Sequence, residues 1–357
     1  MEINNAVSKP TSTALNVAAF IIILAGIMTA APIVSSLLLA LFISIICAQP
    51  INWLNKKNVP QALAIFLVFI AIIAVFFFFG ELISRSLSSF SENAPAYEEN
   101  LKQMEWGITS FLEAKGIHVS FDKISELFDP SKLMGLTAGV LSQLGGFMGN
   151  TLTIIFLVLF LLMEVDSIDV KVKAVSKGKT KSISYLGVIG SSIRHYLSIK
   201  TLTSFITGLL VWIGLFIMGV DYAILWALIA FLLNYIPTFG SIIAAVPAVL
   251  FSLIQFGFGG ALGVAIIFVA VNMIIGNVVE PRMMGKGLGL STFIVFFSLL
   301  FWGFILGTVG MFLSVPITMA IKIMLEQNPK TKGIAIFLGT QEEAQIIVDN
   351  NGNSIDG

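Results

Sequence analysis

Charged residues are scarce in this chain. Among its 357 residues are twenty lysines and arginines and twenty aspartates and glutamates, so the net charge is zero. A neutral chain offers no basic surface for nucleic acid, and we predict no such partner. Between positions 201 and 321 only four residues are charged: Asp221, Glu280, Arg282 and Lys286. A stretch this apolar does not fit the inside of a soluble domain and indicates a membrane-embedded region.

The groups that usually build enzyme and metal sites are also rare. The single cysteine, Cys47, excludes an intramolecular disulfide. Two histidines, His118 and His195, fall in loops on opposite predicted sides of the membrane, so one chain cannot bring them to a shared zinc ion. Gly178-Lys179-Thr180 resembles the end of a phosphate-binding loop, but Lys173 stands where the first glycine is required. We therefore predict no catalytic residues, no metal site and no cofactor.

Apolar residues, by contrast, make up 57% of the chain, including 30 phenylalanines. A bilayer core is about 30 Å thick, so a spanning helix needs roughly 20 apolar residues. Candidate membrane segments lie at 13–31, 33–49, 61–80, 151–163, 201–219, 222–256, 261–279 and 291–321. The predicted fold class is all-α: a multi-pass membrane protein with about eight membrane segments, two of them broken or re-entrant.

Loop charges predict the orientation, because lysine and arginine accumulate in cytoplasmic loops. Loop 50–60 has two lysines and no acid, and segment 164–200 has seven basic and three acidic residues, a balance of +4. Segment 81–148 has five basic and nine acidic residues, a balance of −4. We therefore expect the first two inside, the third outside, and both chain termini in the cytoplasm.

The external segment carries one apolar stripe. Its members recur at spacings of four and three residues: Tyr97, Leu101, Met104, Ile108 and Phe111. This periodicity predicts an amphipathic helix that packs on a neighbouring helix or on the membrane surface. The predicted organisation is spans 1–80, external insert 81–148, span 149–165, basic cytoplasmic loop 166–200, transport core 201–325 and cytoplasmic tail 326–357.

Two membrane segments, 222–256 and 291–321, are too long for one simple span. Their chain breakers are prolines and glycines: Pro237, Gly240 and Pro247 in the first, and Gly303, Gly307, Gly310 and Pro316 in the second. Each segment is either a re-entrant hairpin or a long, kinked, tilted span. As hairpins, each with its preceding span, they would form an inverted repeat. Transport sites are expected at such interruptions, because freed backbone groups face a cavity there.

Polar side chains near the breaks are candidate pathway residues. Asn234, one turn before Pro237, either satisfies carbonyls that the proline frees or binds solute. Asn277 and Glu280 share a helix face. Glu280 either binds a cation or relays a proton, or it pairs with Arg282 or caps a helix end. The predicted substrate or ion pathway consists of Asn234, Pro237, Gly240, Asn277, Glu280, Arg282, Gly307, Gly310 and Pro316.

Three sequence blocks carry a family resemblance. They are Asn234-Tyr235-Ile236-Pro237 with Gly240 and Pro247; Glu280-Pro281-Arg282 with Gly285 and Leu288-Gly289-Leu290; and Trp302-Gly303 with Gly307, Gly310 and Val315-Pro316. Together with the order of the spans and the external insert, they resemble the autoinducer-2 exporter family of bacterial membrane proteins, also called the PerM-type permeases.

That resemblance implies a multi-pass transporter of the bacterial inner membrane that forms a homo-oligomer. Members of the family are linked to export of the quorum-sensing furanone or to exchange of sodium or lithium for protons. Our leading hypothesis is an exporter or secondary transporter of a small polar solute. The alternatives are a monovalent cation/proton antiporter that uses Glu280, and a non-transporting membrane scaffold.

Overall fold

The structure, a computed structural model, describes residues 9–115, 135, 139, 151–175, 180–284 and 289–352. Nearly all of these residues are helical, and no strand occurs among them. His118, Gly178, Lys179, Gly285, Lys286 and Leu288 lie outside the described residues, as does most of the predicted external insert beyond position 115.

The structure gives the bounds of eleven α-helices and one π-helical turn among the described residues. In chain order they are α1 (Lys9–Thr29), α2 (Ala31–Lys56), α3 (Gln61–Ala114), α4 (Thr151–Val175), α5 (Thr180–Ile217), α6 (Ala223–Leu233), α7 (Gly240–Ile274), a π-helical turn (Ile275–Val279), α8 (Glu280–Met284), α9 (Thr292–Glu326), α10 (Lys332–Leu338) and α11 (Gln341–Gly352).

Five helical stretches of the described chain are long and apolar enough to cross a membrane. They are Ala31–Lys56, Gln61–Met104, Gly187–Ile217, Gly240–Met284 and Thr292–Glu326. Large apolar side chains face outward from them; Phe77 and Phe216 are 75% and 69% exposed. Such apolar surface is suited to contact with lipid. The predicted all-α, multi-pass membrane fold is confirmed, and the count of about eight segments stays a prediction.

The first long segment folds into a helical hairpin, hairpin 1 (residues 223–256). Its first arm, α6, has 11 residues, only about 16 Å, and the chain turns at 234–239 before α7 begins. The two open ends lie together: the Asp221 amide donates to Gln255 Oε1 at 3.0 Å, and Gln255 Nε2 donates to the Gly219 carbonyl at 3.3 Å. Hairpin 1 therefore starts and ends on the same side of the molecule.

The second long segment, α9, also folds back on itself, as hairpin 2 (residues 292–326). Gly307 has φ 65° and ψ −149°, which only glycine adopts without strain. In a straight helix Trp302 and Gly310 would be about 12 Å apart, yet a Cβ on Gly310 would lie 1.9 Å from the Trp302 carbonyl oxygen. At the open end, Leu290 and Met319 share one buried cluster. Hairpin 2 therefore also opens on one side.

Each hairpin follows a long helix, and these two helices are antiparallel. Hairpin 1 follows α5. Hairpin 2 follows the second half of α7, which begins after the break at Gly257 (φ 71°). A Cβ on Gly214 of α5 would lie 2.8 Å from the Ile267 side chain, and Lys200 contacts Glu280, so residue numbers rise along one helix as they fall along the other. Of the two alternatives for the long segments, the chain path is that of two oppositely oriented hairpins.

Two predicted chain breakers lie inside helices instead of at the breaks. Pro247 is in α7 and Pro316 is in the second arm of α9, and both are buried. A proline removes one helical hydrogen bond and kinks a helix, whereas glycine reaches positive φ at little cost. The sharp reversals within α7 and α9 accordingly fall at Gly257 and Gly307.

Helix α3 links the membrane region to the predicted external insert. Its 54 residues give a length of about 81 Å, so it runs unbroken through the predicted boundary at residue 80. Tyr97 and Leu101 of the predicted stripe are buried against hairpin 1, and the Tyr97 hydroxyl donates to Asp221 Oδ2 at 3.0 Å. The side chains of Ile108 and Phe111 lie outside the described residues. The C-terminal part of α3 thus packs against the open end of hairpin 1.

The N-terminal helices have a buried cluster of their own, and α2 also packs against α5 and α9. Helices α2, α3 and α4 share a buried cluster that includes Ala40, Cys47, Ala64 and Val158. The break between the first two helices falls at Ala30, inside the first predicted segment, 13–31. Pro32 lies in the first turn of α2, where its missing N–H would have no helical partner in any case.

Candidate functional site

Helix α5 carries a polar face inside an otherwise apolar region. The face consists of residues three or four positions apart, which neighbour one another on a helix: Lys200, Thr203, Ser204 and Thr207. All four are buried, with exposures of 3%, 0%, 0% and 3%. Burying a polar group costs free energy unless it finds a partner, so the partners of this face locate the candidate site.

A buried ion pair lies at one end of the polar face. Lys200 Nζ donates to both carboxylate oxygens of Glu280, at 2.6 Å and 2.8 Å. The two side chains are 4% and 16% exposed, and the Thr203 hydroxyl is 3.5 Å from Glu280 Oε2. With both charges shielded from water, the pair interacts far more strongly than a surface pair would, and the loss of one member would leave the other uncompensated.

The backbone before Glu280 is a π-helical turn, Ile275–Val279. A π turn holds one more residue than an α turn and is frequent at functional sites. The extra residue changes the direction in which the following side chains leave the helix. Glu280 consequently contacts α5, whereas Asn277 is exposed.

The turn of hairpin 1 supplies the other end of the site. Asn234 Nδ2 donates to Ser204 Oγ at 3.0 Å, and the Tyr235 hydroxyl donates to Thr201 Oγ1 at 2.9 Å. Ser204 and Lys200 are one helical turn apart on α5. The turn of hairpin 1 and the ion pair are therefore joined by a continuous run of polar side chains.

Two backbone features define the conformation of the turn of hairpin 1. Thr238 has φ 64°, a strained conformation for a branched residue, and such strain clusters at functional sites. A Cβ on Gly240 would lie 1.7 Å from the Leu233 carbonyl oxygen, so the return arm approaches the first arm at the distance that only glycine permits. Pro237, the proline predicted to break this segment, lies within the turn.

One hydroxyl on the polar face stays unpaired. Thr207 Oγ1 is buried and has no hydrogen-bond partner among the described residues. Buried polar atoms without a partner are uncommon and call for an explanation, such as a bound water or ligand. Thr207 lies on the same face of α5, one helical turn beyond Thr203 and farther from the ion pair. The polar face can therefore accept a further hydrogen-bonding group at this position.

The turn of hairpin 2 is mainly a packing device. Ser35 of α2 donates to the carbonyl that the break frees, Leu306 O, at 3.1 Å, and Trp302 Nε1 donates to Thr318 Oγ1 at 3.1 Å across the fold. Gly310 packs on the first arm, while Gly307 is exposed. The two breaks are therefore unequal: the first borders polar side chains and the second is closed by neighbouring helices.

The structure brings together only part of the predicted pathway. Asn234 and Glu280 both contact the polar face of α5, and Pro237 and Gly240 shape the turn beside it. Arg282 is exposed, like Asn277, and the partner of Glu280 is Lys200, not Arg282. The side chains of α5 were missed, although hydroxyl residues three and four positions after Lys200 are a readable signal of a polar helix face.

Comparison with known proteins identifies the family. Residues 17–330 match the sequence profile described as "AI-2E family transporter". The chain belongs to this transporter family. One relative, from Haemophilus influenzae, is provisionally named a transport protein. It is 44% identical over 337 residues, which is 93% of this chain and 97% of the relative.

Two relatives come from Escherichia coli K12. The AI-2 transport protein TqsA is 37% identical over 318 residues, covering 89% of this chain and 92% of its own length. YhhT, also provisionally named a transport protein, is 36% identical over 325 residues, covering 91% and 93%. This AI-2E family transporter is accordingly a membrane protein of the bacterial cell. Where the structure describes it, no group of three histidine, cysteine or acidic side chains is placed to hold a metal ion.

Proposed function

We propose that this chain moves a small polar solute across the bacterial inner membrane along the polar face of α5. The observation that supports the proposal most strongly is the buried Lys200–Glu280 pair, connected through Ser204 to Asn234 at the turn of hairpin 1. Charges at membrane depth are costly, and those that are retained usually serve a transport pathway. Interrupted helices commonly border the solute site in transporters.

The dimensions agree with a site deep in the membrane. If Ile217 marks the outer end of α5, Ser204 lies 13 residues below it, or about 20 Å. That is roughly two thirds of a bilayer core of about 30 Å. Hairpin 1 then enters from outside, and the ion pair lies below its turn near the cytoplasmic boundary. This orientation agrees with the predicted cytoplasmic termini.

In this mechanism the ion pair acts as the inner gate. When it is closed, Lys200 and Glu280 satisfy each other and exclude water. A polar solute that reaches Asn234 or the free Thr207 hydroxyl can replace the contacts that hold the turn of hairpin 1 to α5. Movement of hairpin 1 against α5 then opens the solute site to the opposite side of the membrane. This is alternating access, in which two oppositely oriented units move against each other.

Autoinducer-2 is the first solute to test, because one relative is named for its transport. The full chain in liposomes should carry a solute from a panel that includes autoinducer-2, measured in both directions with and without pH and Na⁺ gradients. Asn234→Ala should reduce the flux at least tenfold, while Asn277→Ala, which alters an exposed amide, should leave it unchanged. Failure of every solute to cross would favour the scaffold hypothesis.

Exchange of Na⁺ or Li⁺ for protons is the second candidate, supported by the buried carboxylate of Glu280 beside the Thr203 hydroxyl. A cation would have to displace Lys200 Nζ from both carboxylate oxygens. In the same liposomes, exchange through Glu280 requires pH-dependent Na⁺ flux that Glu280→Gln abolishes. A homo-oligomer also stays a prediction; cross-linking in native membranes tests it.

A further inference from the structure

A second polar site lies at the predicted cytoplasmic end of the core, apart from the ion pair described above. It is a cavity of about 320 Å³ bounded by α5, α8, the second arm of hairpin 2 and α11. Its polar lining consists of Ser192, His195, Tyr196, Lys322, Glu326 and Glu343. The volume is at the lower end of the range for small-molecule sites.

The central group of this cavity is a buried cation. Lys322 is 6% exposed and lies between two carboxylates, with Glu343 Oε2 at 2.6 Å and Glu326 Oε1 at 3.3 Å. The two carboxylates are much more open than the lysine: their side chains are 44% and 40% exposed. Water and solutes therefore reach the anionic partners of Lys322 more easily than Lys322 itself.

Two glycines from different segments make room for the closer pair. A Cβ on Gly289, where φ is +64°, would lie 2.9 Å from Lys322 Nζ and 3.1 Å from Glu343 Oε1. A Cβ on Gly339 would lie 2.7 Å from Glu343 Oε2. Any larger residue would have to push into this space. The space beside Gly289 and Gly339, which we call the cradle, is therefore shaped around one lysine ammonium group and one carboxylate oxyanion.

The oxyanion that fills the cradle is carried by a short terminal helix. Helix α11 has 12 residues, a length at which an isolated helix is marginal in water. Glu343 is in its first turn, where its amide contacts Thr340 Oγ1 at 3.3 Å. Because the helix has little stability of its own, it can leave the cavity, but Lys322 would then lose its closest partner in a poorly solvated place. Lys322 would then keep only the longer contact to Glu326, at 3.3 Å. A buried cation that is paired only in this way favours another anion.

We propose that this cavity binds a small anion with a carboxylate or phosphate group, and that Glu343 occupies the same position when no anion is bound. Lys322 is the anchor, and the Ser192 and His195 side chains supply further hydrogen-bonding groups at the wall. Tyr196 is one helical turn before Lys200, so the site adjoins the ion pair without sharing its side chains. The inference concerns binding and does not depend on which solute is transported.

The test is calorimetric titration of the full-length chain with inorganic phosphate. Glu343→Gln should bind phosphate about tenfold more tightly than the wild type, because one competing charge-assisted hydrogen bond is removed. Glu342→Gln is the matched control: it removes an exposed carboxylate from the same helical turn and should leave the affinity unchanged. Lys322→Met should abolish binding.

Titrations in nanodiscs distinguish a free anion from a lipid headgroup. Phosphate binding that persists when phosphatidylglycerol is added to phosphatidylcholine assigns the site to a soluble anion; binding that phosphatidylglycerol suppresses assigns it to an anionic headgroup of the same chemistry. Equal phosphate affinity for Glu343→Gln and Glu342→Gln, or no binding by any variant, would overturn the proposal. Should Lys322→Met fail to fold, the comparison of the two glutamate variants still decides.

Discussion

The most decisive structural prediction concerns the Lys200–Glu280 pair. Lys200→Met leaves the Glu280 carboxylate only 16% exposed and without its cation. Glu280→Gln leaves the lysine 4% exposed beside a neutral amide. Removal of one partner from a buried pair costs about 3–5 kcal/mol in unfolding free energy. Because glutamine can still accept a hydrogen bond, we expect Glu280→Gln at the lower end of that range.

The double variant separates the interaction between Lys200 and Glu280 from the effect of each single substitution. With both charges removed, neither charge is left uncompensated, and replacement of a buried ion pair by well-packed hydrophobic side chains is often neutral or stabilising. The glutamine amide at position 280 is polar, but the Thr203 hydroxyl, 3.5 Å from the Glu280 carboxylate, is at hand as its hydrogen-bond partner. Lys200→Met with Glu280→Gln should therefore unfold within about 1 kcal/mol of the wild type. The predicted coupling between the two substitutions is several kcal/mol, far above the value for residues that do not touch.

Denaturant titration in mixed micelles, followed by tryptophan fluorescence, measures these differences. The matched control is the surface pair of Arg85 and Glu81, whose nitrogen and oxygen are 2.6 Å apart but whose side chains are 78% and 61% exposed. Glu81→Gln should cost at most about 1 kcal/mol, because water screens the pair. If Glu280→Gln and Glu81→Gln have the same small effect, the reasoning about burial is refuted.

Two further predictions concern the hairpins. Gly310→Ala should prevent normal folding of hairpin 2, because its Cβ would lie 1.9 Å from a backbone carbonyl oxygen, whereas Gly333→Ala, with no atom within 4 Å, should fold normally; expression yield and gel-filtration profile compare them. A cysteine placed at the exposed Arg282 position, in a chain whose buried native cysteine is replaced by serine, should react with a membrane-impermeant maleimide only from the cytoplasmic side. Reaction only from outside would contradict the inward opening of hairpin 2.

The membrane class and the two long broken segments could be predicted from sequence because they rest on composition and length. Long apolar runs have few alternatives to membrane helices, and Gly307 and Gly310 are locally visible interruptions. The choice between hairpins and kinked spans could not be made in this way. It depends on the packing of positions far apart in the chain, such as the hydrogen bond of Asp221 with Gln255 and the buried cluster that Leu290 and Met319 share.

The site was only half predictable for a similar reason. Asn234 and Glu280 are conspicuous because they are polar groups in apolar segments. Lys200 was not, because it follows a basic segment and was counted with the cytoplasmic loop. The π-helical turn that directs Glu280 toward Lys200 also has no clear sequence signal, so the pairing with Arg282 was the nearer alternative.

The central claim is that the polar face of α5 and its ion pair form the transport pathway, and one measurement tests it most directly. Solute flux should be compared between wild-type liposomes and liposomes that hold the folded Lys200→Met, Glu280→Gln double variant. Our account predicts that the double variant retains its stability and loses at least nine tenths of the flux. Full flux through a stable double variant would contradict the account, since the pair would then serve the fold alone.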